Sequence, residues 1–104
     1  MDPKQLIKKL FEENYGVIWK DNIGSIGKYS FQLYMETQVY SDINIFLRLP
    51  KDKIIYVRMD INDNNLYVDR LETANIWKNF LLECFDTCND EQKGKIMKNI
   101  IGGF

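Results

Sequence analysis

"YSFQLYMETQVYSDINIFLRLPKDKIIYVRMDINDNNLYV", residues 29–68, decides the fold. Apolar residues alternate through it with a period of two, the spacing of side chains along one face of a β-strand. Tyr29, Phe31, Leu33, Met35, Thr37 and Val39 fall on one face of a long strand. Ile43, Ile45, Leu47 and Leu49 share a face of the next, Ile55, Val57, Met59 and Ile61 a face of the third, and Leu66 and Val68 continue the pattern briefly. The connections are short, and parallel pairing would need long crossovers, so the strands are expected to form an antiparallel meander.

Working outward towards the N-terminus, residues 17–23 predict one more strand, joined to the long one by a turn at "GSIG", residues 24–27. Before it, Asp2 can cap a helix and Pro3 suits its first position; Leu6, Ile7, Leu10 and Phe11 form an apolar stripe, and Gly16 ends it. Towards the C-terminus the period changes. Ile76, Trp77, Phe80, Leu81, Cys84, Phe85 and Cys88 make a wide helical stripe. Asn89 and Gln92 then have capping-box spacing, and Ile96, Met97, Ile100 and Ile101 predict a last helix stopped by Gly102-Gly103. The expectation is a single α+β domain over residues 1–104: a five-stranded antiparallel meander, order αβββββαα, with an N-terminal helix and two C-terminal helices packed on its aliphatic face. The last helix, with Phe104, is expected to close the core rather than to dock a partner.

Opposed residues of a hairpin share a face, so the pattern also predicts registers. Ile61 is expected opposite Leu66, Met59 opposite Val68, Leu49 opposite Ile55, Leu47 opposite Val57 and Val39 opposite Ile43. The other face then carries three rows. Tyr34, Arg48 and Tyr56 form the first; Glu36, Phe46, Arg58 and Asp69 the second; Gln38, Asn44, Asp60 and Tyr67 the third. Arg beside Tyr stacks, and Arg beside a carboxylate attracts across strands, each worth about 0.5–1 kcal/mol at an exposed site. Such pairs stabilise any half-solvated sheet. Tyr and Arg are also enriched at binding hot spots, because they are large and hydrogen-bond at their tips.

Composition narrows the function. The chain has 104 residues, 45% hydrophobic and 28% charged, with a net charge of −1 and no His. These are values for a folded domain. The dispersed charge lacks the basic concentration that phosphate binding needs, and the absence of His removes the commonest proton-transfer group and metal ligand near neutral pH. No apolar run reaches membrane-spanning length, and the opening segment reads as a charged amphipathic helix rather than a signal peptide, so a cytoplasmic location is expected. The frequent Ile, Asn, Lys, Tyr and Phe are encoded by AT-rich codons.

Three motifs nearly fit a chemistry. "DINDNN", residues 60–65, imitates the start of a calcium loop, but Asn65 replaces the required Gly, Leu71 stands at the carboxylate position, and the flanks are strands; a hairpin turn is expected. "NIGSIGKY", residues 22–29, resembles a phosphate loop only loosely, since Asn22 replaces its first Gly and Tyr29 its Ser or Thr. Cys84 and Cys88, four apart on the expected helix, cannot complete a zinc site and have poor disulfide geometry, so buried thiols are expected. Without His, neither thiol has an obvious activating base.

The reading that follows is a non-enzymatic protein-binding domain: no catalytic residues, no cofactor, no metal, no membrane, and a larger protein as partner. The kind expected is a small inhibitor or antagonist, such as a phage or mobile-element anti-defence protein of the anti-CRISPR sort or a toxin-immunity protein, acting by steric occlusion. Its partner-binding residues would be Tyr34, Glu36, Phe46, Arg48, Tyr56, Arg58, Asp60, Tyr67 and Asp69. Two alternatives stand beside it. One is a single-stranded nucleic-acid binder stacking bases on Tyr34, Tyr56 and Tyr67, against which the near-zero charge counts. The other is a small enzyme acting through Glu36, Asp60 and Asp69. Self-association as a homodimer, through an edge strand or the last helix, is compatible with each.

Overall fold

The structure, a computed structural model, describes residues 2–68 and 71–101. Helix α1 spans Pro3–Tyr15. The strands follow as β1 (Ile18–Lys20), β2 (Ile23–Ile26), β3 (Tyr29–Val39), β4 (Asp42–Arg48), β5 (Ile54–Asp60) and β6 (Asn65–Val68). A 3-10 turn at Pro50–Asp52 precedes β5, and helix α2 (Leu71–Cys84), a 3-10 turn at Phe85–Thr87 and helix α3 (Asp90–Ile101) complete the described elements. The fold is α+β, and the described strands form one antiparallel sheet in the order β1-β2-β3-β4-β5-β6.

The helix boundaries follow local chemistry. Asp2 accepts a hydrogen bond from Lys4 N at 3.2 Å, Pro3 opens α1, and Gly16 closes it in the left-handed region at φ 74°. At α3 the expected capping box forms: Asn89 Oδ1 accepts from Gln92 N at 2.8 Å, and Gln92 Oε1 accepts from Asn89 N at 3.2 Å. Gln92 is buried, and its amide also donates to Gly16 O at 2.9 Å, so one residue joins the start of α3 to the end of α1.

The helices cover the aliphatic face of the sheet. Ile43, Ile45, Leu47, Ile55, Val57 and Met59 pack with Ile7, Leu10 and Phe11 of α1, Trp77, Phe80 and Leu81 of α2, and Ile96 and Ile100 of α3. Phe11 sits among the rings of Tyr15, Trp19, Phe31 and Trp77, with centroids 5.8–6.2 Å away. Burying such side chains contributes about 1.5–3 kcal/mol each. The last helix therefore joins the core through Ile96 and Ile100; Gly102, Gly103 and Phe104 lie outside the described residues.

Four sequence expectations need correction. The sheet has six strands, because residues 17–23 are not one strand: Asp21 and Asn22 turn the chain between β1 and β2. "GSIG" is not the turn either. Gly24 lies within β2, where an added Cβ would come 2.8 Å from Phe31 and 2.9 Å from Val17; the turn falls at Gly27-Lys28, with Gly27 at φ 59°. Thr87 anchors that turn, its hydroxyl accepting from Lys28 N at 3.0 Å and donating to Cys84 O at 2.8 Å. Cys84 and Cys88 do not share a regular helix, since α2 ends at Cys84 and the 3-10 turn intervenes.

The fourth correction concerns faces. Val39 pairs with Asp42, not Ile43, because the hairpin loop is only Tyr40-Ser41. A two-residue loop reverses the parity that the apolar pattern implies, and a β-bulge between Leu33 and Met35 restores it. Phe31 and Leu33 stay inward, but beyond the bulge Met35, Thr37 and Val39 turn outward while Glu36 and Gln38 turn to the helix side. Elsewhere parity holds and registers move by one residue pair: Leu47 faces Ile55, Met59 faces Leu66 and Val57 faces Val68.

Candidate partner-binding surface

With the helices on one side, the other side of the sheet is open. Read across the strands, one row runs Lys20, Ile23, Gln32, Arg48, Ile54. The next is Met35, Phe46, Tyr56, with Tyr34 beside Met35 at the bulge. Thr37, Asn44, Arg58 and Tyr67 follow, then Val39, Asp42, Asp60 and Asn65. Ile18, at 65% exposure, extends the surface at the β1 end.

The centre of this face is an aromatic strip. Tyr34 meets Phe46 edge-on at 6.0 Å, and Phe46 meets Tyr56 edge-on at 4.6 Å. Edge-to-face contacts at these separations put ring hydrogens against a π-face and contribute about 0.5–1.5 kcal/mol. Two guanidinium groups flank the strip. Arg48 lies 5.6 Å from the Tyr34 ring centre and Arg58 lies 4.7 Å from that of Tyr67. Arg58 also pairs with Asp42 at 3.4 Å.

Of the residues expected here, Tyr34, Phe46, Arg48, Tyr56, Arg58, Asp60 and Tyr67 do share the open face, though Tyr34 sits with Phe46 rather than in line with Arg48. Glu36 does not: the bulge sends it to the helix side, beside Ile45. Asp69 lies outside the described residues. The carboxylates that an enzyme would bring together are thus on different faces where they are described. Asp60 is engaged in its turn, accepting from Asn62 N at 2.8 Å in the hairpin that "DINDNN" forms. Met35 and Val39 were missed because alternation alone reveals neither a two-residue loop nor a bulge, and Ile18 and Ile23 because β1 and β2 are too short for alternation to identify.

Other chemistry is sparse. Burial pushes the Cys84 thiol up to about 12, with the negative charge of Cys88 and Glu83 adding to it. Burial also raises Cys88, partly offset by Lys93, so both thiols are poor nucleophiles at neutral pH. Among the described residues no cluster of three His, Cys, Asp or Glu side chains is placed to hold a metal ion. A groove of about 490 Å³ between α1, β1 and α3 is lined by Lys8, Lys9, Trp19 and Lys95, but its amines are engaged: Lys8 donates to Asp21 O, and Lys95 to Glu12 O and Glu91. Among the described residues no helix is long and apolar enough to cross a membrane. Comparison with protein-family models, curated proteins and solved structures finds no match.

Proposed function

We propose that this chain is a non-enzymatic protein-binding domain whose open sheet face covers a functional surface of a larger protein, the working mode of a small anti-defence or immunity-type inhibitor. One observation carries the reading. The face left uncovered by the helices holds large apolar and aromatic side chains on successive strands, with Met35 at 48% and Val39 at 56% exposure, set among Arg48 and Arg58. A contiguous apolar patch rimmed by charge is the surface type that marks protein interaction, and Tyr with Arg supplies rigid area and directed hydrogen bonds. Asp42 and Asp60 at one end of the face offer sites for basic groups of the partner.

The test is affinity capture from lysate of the source cells, wild type beside Arg48→Glu/Tyr56→Ala, with the fold of the variant verified by circular dichroism. The expected result is one protein retained by wild type and lost by the folded variant. Titration of that protein, once purified, should bind the variant at least about tenfold more weakly. Equal capture by both chains would overturn the assignment of the face. Retention of nucleic acid, with affinity falling steeply as salt rises, would replace this reading with the nucleic-acid one.

A further inference from the structure

Both terminal strands of the sheet are short, and β1 is also guarded. β1 has three residues, and α1 lies against it through Trp19 Nε1, which donates to Lys8 O at 3.1 Å. β6 has four residues and runs towards α2. The longest unguarded edge lies inside the strand order. β2 pairs only with Tyr29–Gln32 of β3, and Leu33 N, donating to Asn22 O at 2.8 Å, makes the last bond on that side. From Tyr34 to Val39, β3 pairs with β4 alone among the described residues. This half-strand, "YMETQV", contains no Pro, Gly or Lys and one charge, whereas free edges are ordinarily blunted by such residues.

The direction of its free backbone groups follows from the neighbouring ladder. Ile61 N donates to Ser41 O at 2.9 Å, so Asp42 and Asp60 are a pair that does not exchange hydrogen bonds, and the backbone groups of Asp42 turn towards Val39. Alternation then turns Thr37 and Met35 towards β4 and sends the N–H and C=O of Glu36 and Gln38 out of the edge.

We propose that the chain forms a two-fold dimer through this edge, with Thr37 opposite Thr37 of the second copy, joining the two sheets into one. The sequence of the edge selects both occupant and register. Opposed residues must share a face, so the axis passes through a residue, not between two. An axis at Glu36 sets two carboxylates against each other, which is repulsive. An axis at Gln38 runs the pairing into Tyr40, which leaves the extended region at φ 56°. The axis at Thr37 alone uses the whole edge. Glu36 and Gln38 of one copy exchange backbone hydrogen bonds with Gln38 and Glu36 of the other. Their side chains, carboxylate facing amide, meet on the helix side, and one Glu36 oxygen is covered there without a hydrogen-bond partner. On the open side Met35 meets Val39 of the second copy, the two Thr37 side chains meet each other, and Tyr40, 94% exposed, comes level with Tyr34 of the second copy. The open faces of both copies then lie on one continuous surface. The proposal does not depend on what that surface binds.

The test is sedimentation equilibrium over a concentration series, with cross-linking to read the register. The expected mass rises from 12.4 kDa towards twice that value. Gln38→Glu sets two carboxylate pairs across the interface and should weaken the dimer on the order of tenfold, while Gln38→Lys should strengthen it. Gln38→Pro removes a backbone donor that points out of the edge and the side-chain bond from Gln38 Nε2 to Tyr40 O at 3.1 Å; with its fold verified by circular dichroism, it should remain a monomer. Thr37→Cys should give a disulfide-linked dimer under mild oxidation, because pairs that do not exchange hydrogen bonds bring Cα atoms close enough, whereas Lys51→Cys should not. A wild type that stays monomeric, with no cross-link at Thr37→Cys beyond that of Lys51→Cys, overturns the proposal. If that monomer loses its captured protein in Gln38→Pro but keeps it in Arg48→Glu/Tyr56→Ala, the edge belongs to a strand of the target and the open-face assignment fails separately.

Discussion

On the helix side of the sheet, Ile43, Ile45, Leu47, Ile55 and Met59 have no exposed surface. One position along the same strands, Asn44, Phe46, Arg48, Tyr56 and Arg58 keep part of theirs. The two sets share a backbone and a ladder, so local conformation cannot distinguish them. What differs is the partner: three helices with interlocking rings on one side, and on the other only neighbouring side chains of the sheet. Stability is therefore concentrated on the first face, and residues on the second are free to be chosen for another purpose.

The contrast breaks most directly at Trp77, which meets Phe31, Phe80 and Tyr15 at 5.3–5.6 Å and Phe11 at 5.8 Å. Trp77→Ala should cost about 3–5 kcal/mol, a large share of a small domain's stability, read as a fall in the urea midpoint. Tyr56→Ala on the open face should cost about 1 kcal/mol, including its edge-on contact with Phe46. Equal losses would mean that the open face is part of the core.

The thiols offer a second way to sharpen it. Cys84 has no exposed surface, and its thiol is held up at about 12 against an ordinary 9.0, so the folded chain holds that proton more tightly than the unfolded chain. The stability it contributes is fully present below pH 9 and is lost as pH rises towards 12; Cys88 acts in the same direction. Unfolding midpoints should therefore fall steadily across that alkaline range. At pH 8 Cys84 should react with a disulfide reagent far more slowly in the native protein than in denaturant. Rapid native labelling would place it outside the closed side.

Gln92→Ala comes next in size. It removes the reciprocal cap at Asn89 and the bond to Gly16 O, and should cost about 1–2 kcal/mol. Gln92→Glu keeps the acceptor for Asn89 N but loses the donor to Gly16, so it separates the cap from the tie between helices.

That residue also marks how far the sequence could be read. The capping spacing of Asn89 and Gln92 was legible, as were the helical stripes and the alternation of β4 and β5, because each is a local pattern imposed by one element's own geometry. The tie to Gly16 was not, since it joins residues far apart in the chain. The strand faces failed where two errors cancelled. Met35, Thr37 and Val39 continue the alternation of Phe31 and Leu33 without interruption, yet they face the other way. A loop one residue shorter than the pattern requires, with one extra residue at Tyr34, leaves the periodicity unchanged. At β1 and β2 the failure was different: strands of three and four residues are too short for alternation to identify. Most of the open face was legible through the parity of β4 and β5; Glu36 was misplaced because its side depends on the bulge.

The smallest effect tests the open face itself. Arg48 is exposed and lies 5.6 Å from the Tyr34 ring centre, so water competes for its guanidinium and ordering a long side chain opposes the contact. Arg58, half-buried, is closer to Tyr67 at 4.7 Å and is also held by Asp42. A double-mutant cycle on Tyr34 and Arg48 should return a coupling of about 0.5 kcal/mol or less, and one on Arg58 and Tyr67 a larger value, up to about 1 kcal/mol. Both should change little with added salt, because the quadrupole attraction acts at short range, whereas the Arg58–Asp42 pair should weaken. If the Tyr34–Arg48 coupling exceeded the other, Arg48 would be explained by stability alone. A value near zero leaves a large cation and an exposed ring side by side with little energetic reason to be there, which is the condition under which both remain available to a partner.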